Sequence, residues 1–341
     1  MKILLSFFAD VIAAIGDRLM MYMADTGMLL TMAQMTPSEA RQIDPILTTV
    51  AQGYQNAALV GMALFGYVPV QQRGGKIITF GKEDFRLYAT GRAPGSNTKR
   101  VQFGYAGESY ALEQKALEGT VPFELMEEAA NVPGIDLGSG AVRKVQNIIA
   151  LELELAQAGL ATDASKYANS NKLTLSGTDQ WSNDASKPLQ VIESAKEAVR
   201  AQIARRPNTI VMGAAVFAHL KNHPLIVDRI KYTGRDIATT DLLASLFDVE
   251  RVLVGDAIYE DKNTTKDVWG KSVVLAYTDI GSLADQGLPT FGYTYRLGGY
   301  PIVEQPYQDR NAKSWIYPVT DEVAPVIAGA SAGFLISNAV A

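Results

Sequence analysis

The sequence predicts an α+β fold, and three observations carry that prediction. Helical and strand-like stretches alternate from Ser186 onward, residues 141–160 form a proline-free helical run, and a basic two-stranded excursion lies between Tyr67 and Tyr110.

The elements follow in order. Leu4, Phe8, Val11, Ile12, Ile15 and Leu19 recur at helical spacing, with Lys2, Asp10, Asp17 and Arg18 in polar positions, which predicts an amphipathic helix. In TPSEARQID a second helix starts, with Thr36 as cap, Pro37 at the first position and Glu39 completing a capping box. From Tyr67 the stretch VPVQQRGGKIITF alternates and turns at Gly74-Gly75, and GRAPGSNTKR separates it from VQFGYAGESYAL. A hairpin this long cannot bury both faces, so it needs an external surface, and a neighbouring subunit supplies one. The helix at 141–160 spreads Val145, Ile148, Ile149, Leu151 and Leu155 over more than one face, as a rigid spine does. Beyond Ser186, Leu189, Ile192, Val199 and Ile203 mark a helix, NTIVMG a buried strand, AAVFAHLKNH and TTDLLASLF further helices, and RVLVG and SVVLAY further strands. FGYTYRL, PIVEQ and KSWIYPV read as strands, and IAGASAGFLI as a small-residue tail.

Composition narrows the function classes. The 341 residues, 48% hydrophobic, suffice for two compact domains or for one domain with long excursions. A net charge of −5 lacks the basic excess of a dedicated nucleic-acid binder, so any such contact is local. Cysteine is absent, which excludes disulfides, thiolate metal sites and cysteine nucleophiles. MKILLSFFADVIAAIG has the lysine and apolar run of a signal peptide, but Asp10 breaks the run, and secretion is not expected. No stretch reaches the roughly 18 uninterrupted apolar residues of a membrane span.

No catalytic, cofactor-binding or metal-binding set emerges. His219 and His223 stand four apart, so on one helix they share a face as zinc ligands do, but Leu220 stands where a zinc peptidase places glutamate and the chain has no further histidine. Polar side chains near free helix C-terminal carbonyls account for the pair more simply. QRGGK lacks the first glycine and the hydroxyl of a phosphate loop. Glu152 and Glu154, two apart, diverge by about 200° on a helix and form no acid–base pair, which leaves them on a solvated or interface flank. Ser109, Ser176 and Ser245 lack the setting of a nucleophile.

The charge pattern says more. Residues 71–100 carry seven bases (Arg73, Lys76, Lys82, Arg86, Arg92, Lys99, Arg100) against two acids, and residues 101–155 carry nine acids against three bases. Opposite signs in adjacent segments suit registration between copies of one protein, with the seven bases facing Glu124, Glu127, Glu128, Glu152 and Glu154 across an interface. Ordinary surface charge and nucleic-acid binding by the basic hairpin are the other readings.

MAQMTPSEARQIDPILTTVAQGYQN from Met32, VPVQQRGGKIITFGKEDFRL with the RAPG that follows, DQWSN at 179–183, and RRPNTIVMGAAVFAHLKNHPLIVDRIKYT through VERVLVGDAIYE together resemble the major capsid proteins of tailed bacteriophages. The resemblance runs from about Met32 to the C-terminus and rests on the order and spacing of these segments. It implies the Hong Kong 97 capsid fold: an N-arm at 32–66, an extended E-loop hairpin at 67–122, a peripheral domain with the spine helix at 123–185, an axial α/β domain at 186–290, and return strands with a C-terminal tail at 291–341. It also implies self-assembly into pentamers and hexamers of an icosahedral shell, assembled in the host cytoplasm and enclosing double-stranded DNA through non-specific backbone contact, with portal, scaffolding or decoration proteins as partners and no cofactor or membrane. An encapsulin-like compartment is the alternative on the same fold, and a metal-dependent hydrolase using His219 and His223 the alternative from another class. Residues 1–31 precede the usual start of the resemblance, as a cleaved helix, an ordered arm or an upstream start. Lysine-to-asparagine cross-links, for instance from Lys82, are not expected.

Overall fold

The computed structural model describes residues 43–53, 56, 59–76, 90–91, 109–130, 136–230, 239–279 and 290–341. The expected helix at 4–19, the helix start at Thr36 and most of the basic excursion lie outside these residues. No helix among the described residues is long and apolar enough to cross a membrane.

Helix α1 (Pro45–Gln52) begins where the sequence supplies a cap: Asp44 Oδ1 accepts the N–H of Ile46 and of Leu47, each at 2.9 Å, and Pro45 takes the first helical position. Strands β1 (Phe65–Val70), β2 (Gly74–Lys76), β3 (Ser109–Ala111) and β4 (Glu113–Pro122) follow, then helices α2 (Phe123–Ala130) and α3 (Leu137–Thr162). The spine helix α3 starts four residues earlier than expected. Asp136 caps it by accepting from the N–H of Gly138 and Ser139 at 3.0 and 3.1 Å, and Gly138 is needed because a Cβ there would lie 2.8 Å from the Tyr317 hydroxyl.

The chain continues through β5 (Lys172–Thr174), α4 (Pro188–Ile203), β6 (Thr209–Gly213), α5 (Ala214–Leu220), α6 (Pro224–Ile230), α7 (Thr240–Phe247), β7 (Arg251–Gly255), β8 (Ile258–Asp261), β9 (Thr264–Asp267) and β10 (Val273–Ala276). It ends with β11 (Gly292–Leu297), β12 (Ile302–Val303), β13 (Tyr307–Asp309), β14 (Ser314–Ile327) and β15 (Gly333–Ser337).

Two sheets organise these elements. In the first, the 14-residue β14 is central: β4 pairs along one edge from Ser314↔Pro122 to Val323↔Glu113, while β13, β12 and β11 pair in succession along the other, and β1 adds to β11 in parallel. The spine helix packs beneath, burying Val142, Val145 and Ile149 against Val121, Tyr317 and Val319. The second sheet has the order β5-β15-β10-β6-β7, and β6 is buried along its whole length. Helical spacing puts Ile192, Val199 and Ile203 of α4, Val216 and Leu220 of α5, and Leu243 and Phe247 of α7 into the same core.

Three sequence expectations change. Gly74 and Gly75 do not turn; they are strand residues paired with Ala111 and Tyr110. The Tyr110 ring lies over Gly75, where a Cβ would come within 2.8 Å of it, so the glycine serves packing. The stretch taken as a C-terminal tail ends in β15, an interior strand between β10 and β5 whose Leu335 and Ile336 are fully buried. Its small residues allow close approach: a Cβ on Gly333 would lie 2.5 Å from the Phe291 ring. Sequence periodicity also missed the exposed hairpin β8–β9, whose tip residues Lys262 and Asn263 adopt φ of 48° and 64°.

Candidate subunit-contact surface

Strands β2 and β3, which bracket the basic excursion in sequence, pair with each other in a two-stranded ladder separate from both sheets. Its root is tied down twice. Arg73 forms a fork with Glu322 of β14, Nε to Oε2 at 2.7 Å and NH2 to Oε1 at 2.9 Å, and the Tyr110 ring stacks on Tyr295 at 4.3 Å. Glu322 is buried at 2% exposure, so its charge needs that guanidinium.

Successive strand residues face opposite sides. Asp321, next to Glu322, is accordingly held by a different arginine: Arg296 donates to Asp321 at 2.8 Å and to the Tyr67 hydroxyl at 2.7 Å, with its guanidinium 3.8 Å from the Tyr67 ring centre. Burial raises the Asp321 carboxyl above the ordinary aspartate range while Arg296 opposes the shift, and burial pushes the Tyr295 phenol up to about 12. The Arg73 pair ties the loop root to the first sheet, while the Arg296 cluster cross-links β1, β11 and β14 within that sheet.

The sequence-derived contact residues now separate. Arg73 is engaged within its own chain. Lys76 is exposed and forms no ion pair among the described residues, and Lys82, Arg86, Arg92, Lys99 and Arg100 lie outside them. Glu124, Glu127 and Glu128 are exposed on α2. Glu152 is exposed on the spine and accepts from Lys115 at 2.8 Å, which also pairs with Glu113 at 2.7 Å.

Glu154 does not belong to an interface flank. It is 1% exposed and points inward, accepting from the backbone N–H of Val60 (3.0 Å) and Gly61 (2.9 and 2.8 Å) and from the Trp269 indole N–H (2.7 Å). Burial holds its carboxyl above the ordinary glutamate range, against the lowering effect of these donors. One carboxyl thus ties the spine to the turn before β1 and to the loop entering β10. The glycines around Trp269 show how tight the joint is: a Cβ on Gly255 would lie 2.1 Å from the indole. No periodicity in the sequence reports this, because Glu154 is satisfied by segments distant along the chain.

The histidine pair dissolves as a ligand set. Helix α5 ends at Leu220, His219 is exposed, and His223 is buried at the start of α6, where its Nδ1 accepts the Leu225 N–H at 3.3 Å. Its Nε2 lies 3.1 Å from the buried Ser186 Oγ, a contact the sequence did not suggest. With Nδ1 accepting, the neutral ring carries its proton on Nε2 and donates to the serine, the reverse of what a general base requires. Among the described residues no group of three or more His, Cys, Asp or Glu side chains is placed to hold a metal ion.

A family model described as phage major capsid protein E matches residues 161–312. The major capsid protein of Burkholderia phage BcepMu is 40% identical over 306 residues, covering 88% of this chain and 98% of that protein. That of Pseudomonas phage JBD67 is 29% identical over 329 residues, covering 88% and 97%. The crystal structure of a phage-related protein from Bordetella bronchiseptica RB50 is 46% identical, with a TM-score of 0.76 and coverage of 88% of this chain and 98% of that one. The mature capsid subunit of bacteriophage PhiM1, 14% identical with a TM-score of 0.50 and coverage of 83% and 87%, shares the fold. The chain therefore belongs to the phage major capsid proteins, with a Hong Kong 97-type fold.

Proposed function

We propose that copies of this chain join as pentamers and hexamers into an icosahedral shell around double-stranded DNA, with the loop between Lys76 and Ser109 of each copy lying on its neighbour. The reading is of a structural subunit that acts through self-contact and not through catalysis. It assembles in the host cytoplasm and ends in the virion, meeting DNA through backbone charge alone and accepting portal, scaffolding or decoration proteins.

The observation that carries it is the clamped root. The Arg73–Glu322 fork and the Tyr110–Tyr295 stack hold β2 and β3 to the first sheet, while this two-stranded ladder pairs with no further strand among the described residues. A fixed root aims the inserted basic segment at something outside its own sheet. The exposed spine stripe of Ile148 (54%), Glu152 and Leu155 (37%) offers a seat of matching character on the neighbour, apolar with an acidic group. In domain terms the N-terminal extension is 1–31, the N-arm 32–66, the loop segment 67–122, whose ends β1 and β4 are strands of the first sheet, the peripheral part 123–185, the axial part 186–290 and the return strands 291–341, with β5 and β15 joining the second sheet from outside the axial range.

The pairing Lys76↔Ser109 allows residues 77–108 to be replaced by an Asn-Gly turn without disturbing the root. Electron microscopy of the chain expressed alone and with its neighbouring genes should show closed particles for the wild type and none for the shortened chain, whose circular dichroism should stay native. Normal particles from the shortened chain would show that the loop is not an inter-subunit element.

A further inference from the structure

Among the described residues from Ser186 to Asp279, large apolar side chains stay exposed in two places: Leu225 (42%) and Val227 (43%) on α6, and Ile258 (55%) on the β8–β9 hairpin. Each place also carries charge that the chain itself leaves unanswered, and the two signs are opposite.

The hairpin is held by one face and open on the other. Cross-strand partners share a face, so Tyr259, Lys266, Asp261 and Thr264 line one side and Ile258, Asp267, Glu260 and Thr265 the other. On the first side Tyr259 packs against the core of the second sheet, and Lys266 pairs with Asp261 at 2.6 Å. The base is closed by the Val268 N–H, which donates to the Ala257 carbonyl at 2.9 Å, and the adjoining Trp269 is fixed by Glu154. On the second side all four residues are exposed, and neither acid forms an ion pair among the described residues. A two-stranded hairpin outside both sheets therefore presents an isoleucine between two carboxylates.

Helix α6 presents the counterpart. Ile226 and Ile230 are its buried side, and at about 100° per residue Leu225 and Arg229 lie about 40° apart on one flank, with Val227 on the other and Asp228 directed away from the body. Arg229 is exposed and forms no ion pair among the described residues; Lys221, exposed in the turn just before the helix, is a second such base.

We infer that the open hairpin face of one copy seats on the α6 flank of the next, Ile258 against Leu225, and Glu260 and Asp267 against Arg229 and Lys221. In the single chain both patches stay uncovered, so they do not cover each other within it. Unlike but complementary patches on one chain make a heterologous contact, which repeats from copy to copy and closes into a ring. A different protein could cover one patch, but gives no reason for the other to carry the opposite sign. The inference rests on the shell-building reading and gives its pentamers and hexamers a contact independent of the basic loop.

Because the chain has no cysteine, disulfide trapping tests it cleanly. Particles of the double variant Leu225→Cys, Ile258→Cys, treated with a copper oxidant, should run on a non-reducing denaturing gel as a ladder rising to pentamer and hexamer and collapsing on reduction. Each single variant should stay monomeric, since neither patch meets its own copy. Intact particles of the double variant without a ladder, a link confined to one chain, or dimers from a single variant would each overturn the inference. A charge swap reads the same contact without cysteine, and decides where the cysteines themselves block assembly. R229E should lower the yield of particles about tenfold with circular dichroism unchanged, and adding E260R should restore it to within about threefold of wild type. Wild-type yield from R229E, or no gain from E260R, overturns the inference. A wild-type chain that forms no particles in the same experiment overturns the shell reading, and this inference with it.

Discussion

Replacing Glu154 with alanine removes the acceptor of three N–H groups at once, those of Val60, Gly61 and Trp269. Each buried donor left unsatisfied costs about 1–3 kcal/mol. Loss of a desolvated carboxyl and entry of water into the space offset part of that, leaving a net destabilisation of about 3–5 kcal/mol. Glu154→Gln keeps one acceptor oxygen for all three donors but turns an amide N–H toward the Gly61 N–H, and should cost about 1 kcal/mol. Urea unfolding followed by tryptophan fluorescence reads both, with Trp269 reporting the joint directly. The pH dependence has a definite sign. The folded carboxyl keeps its proton to a higher pH than the unfolded chain does, so this contribution is fully present below about pH 4.3 and is lost as pH rises through the folded-state value. The margin of wild type over E154Q should therefore shrink with rising pH. An E154A variant within about 1 kcal/mol of wild type, or a margin that widens with pH, would refute the argument that a buried, three-donor carboxyl holds the spine to its surroundings.

Two further outcomes follow from the fold. Asp136→Ala removes the N-cap of the spine and should cost about 1 kcal/mol in thermal unfolding. The Ser139 hydroxyl and backbone donors hold the Asp136 carboxyl below the ordinary aspartate range, so its contribution is present above that range and lost as pH falls through the lowered value; D136N should flatten the acid limb of a melting-versus-pH curve. Deleting Gly333 onward takes an interior strand out of the second sheet and strips cover from β10 and β5, so the chain should be recovered insoluble. A soluble truncated chain with native circular dichroism would mean that β15 is dispensable.

Much of this protein was legible in its residue pattern because it depends on local periodicity. The helical spacing of Ile192, Val199 and Ile203, the apolar run of NTIVMG and the proline-free stretch around Val145 each specify an element by the face it must bury, and the order of those elements carries the capsid resemblance. Caps were readable only in part: Asp44 and Asp136 are ordinary cap residues, yet the glycines of LGSG hid the first turn of the spine, since propensity alone argues against a helix there and only the Tyr317 ring explains the need for small residues. The charge blocks were likewise visible as a pattern, but partners were not. Arg73 and Glu322 lie far apart in sequence, and Glu154 finds its donors in two other distant segments. Whether a charge faces water, a neighbour or its own core is decided by which strands become adjacent, and that adjacency is a property of β14 and the spine helix that no window of sequence contains. Sequence by itself determined the spine helix, the alternating helices and strands from Ser186 to β10, their order and the family; tertiary structure decided that Glu154 is a joint, that Gly75 lies under a ring, and that the last residues form an interior strand, because in each case the deciding atoms come from segments brought together only by folding.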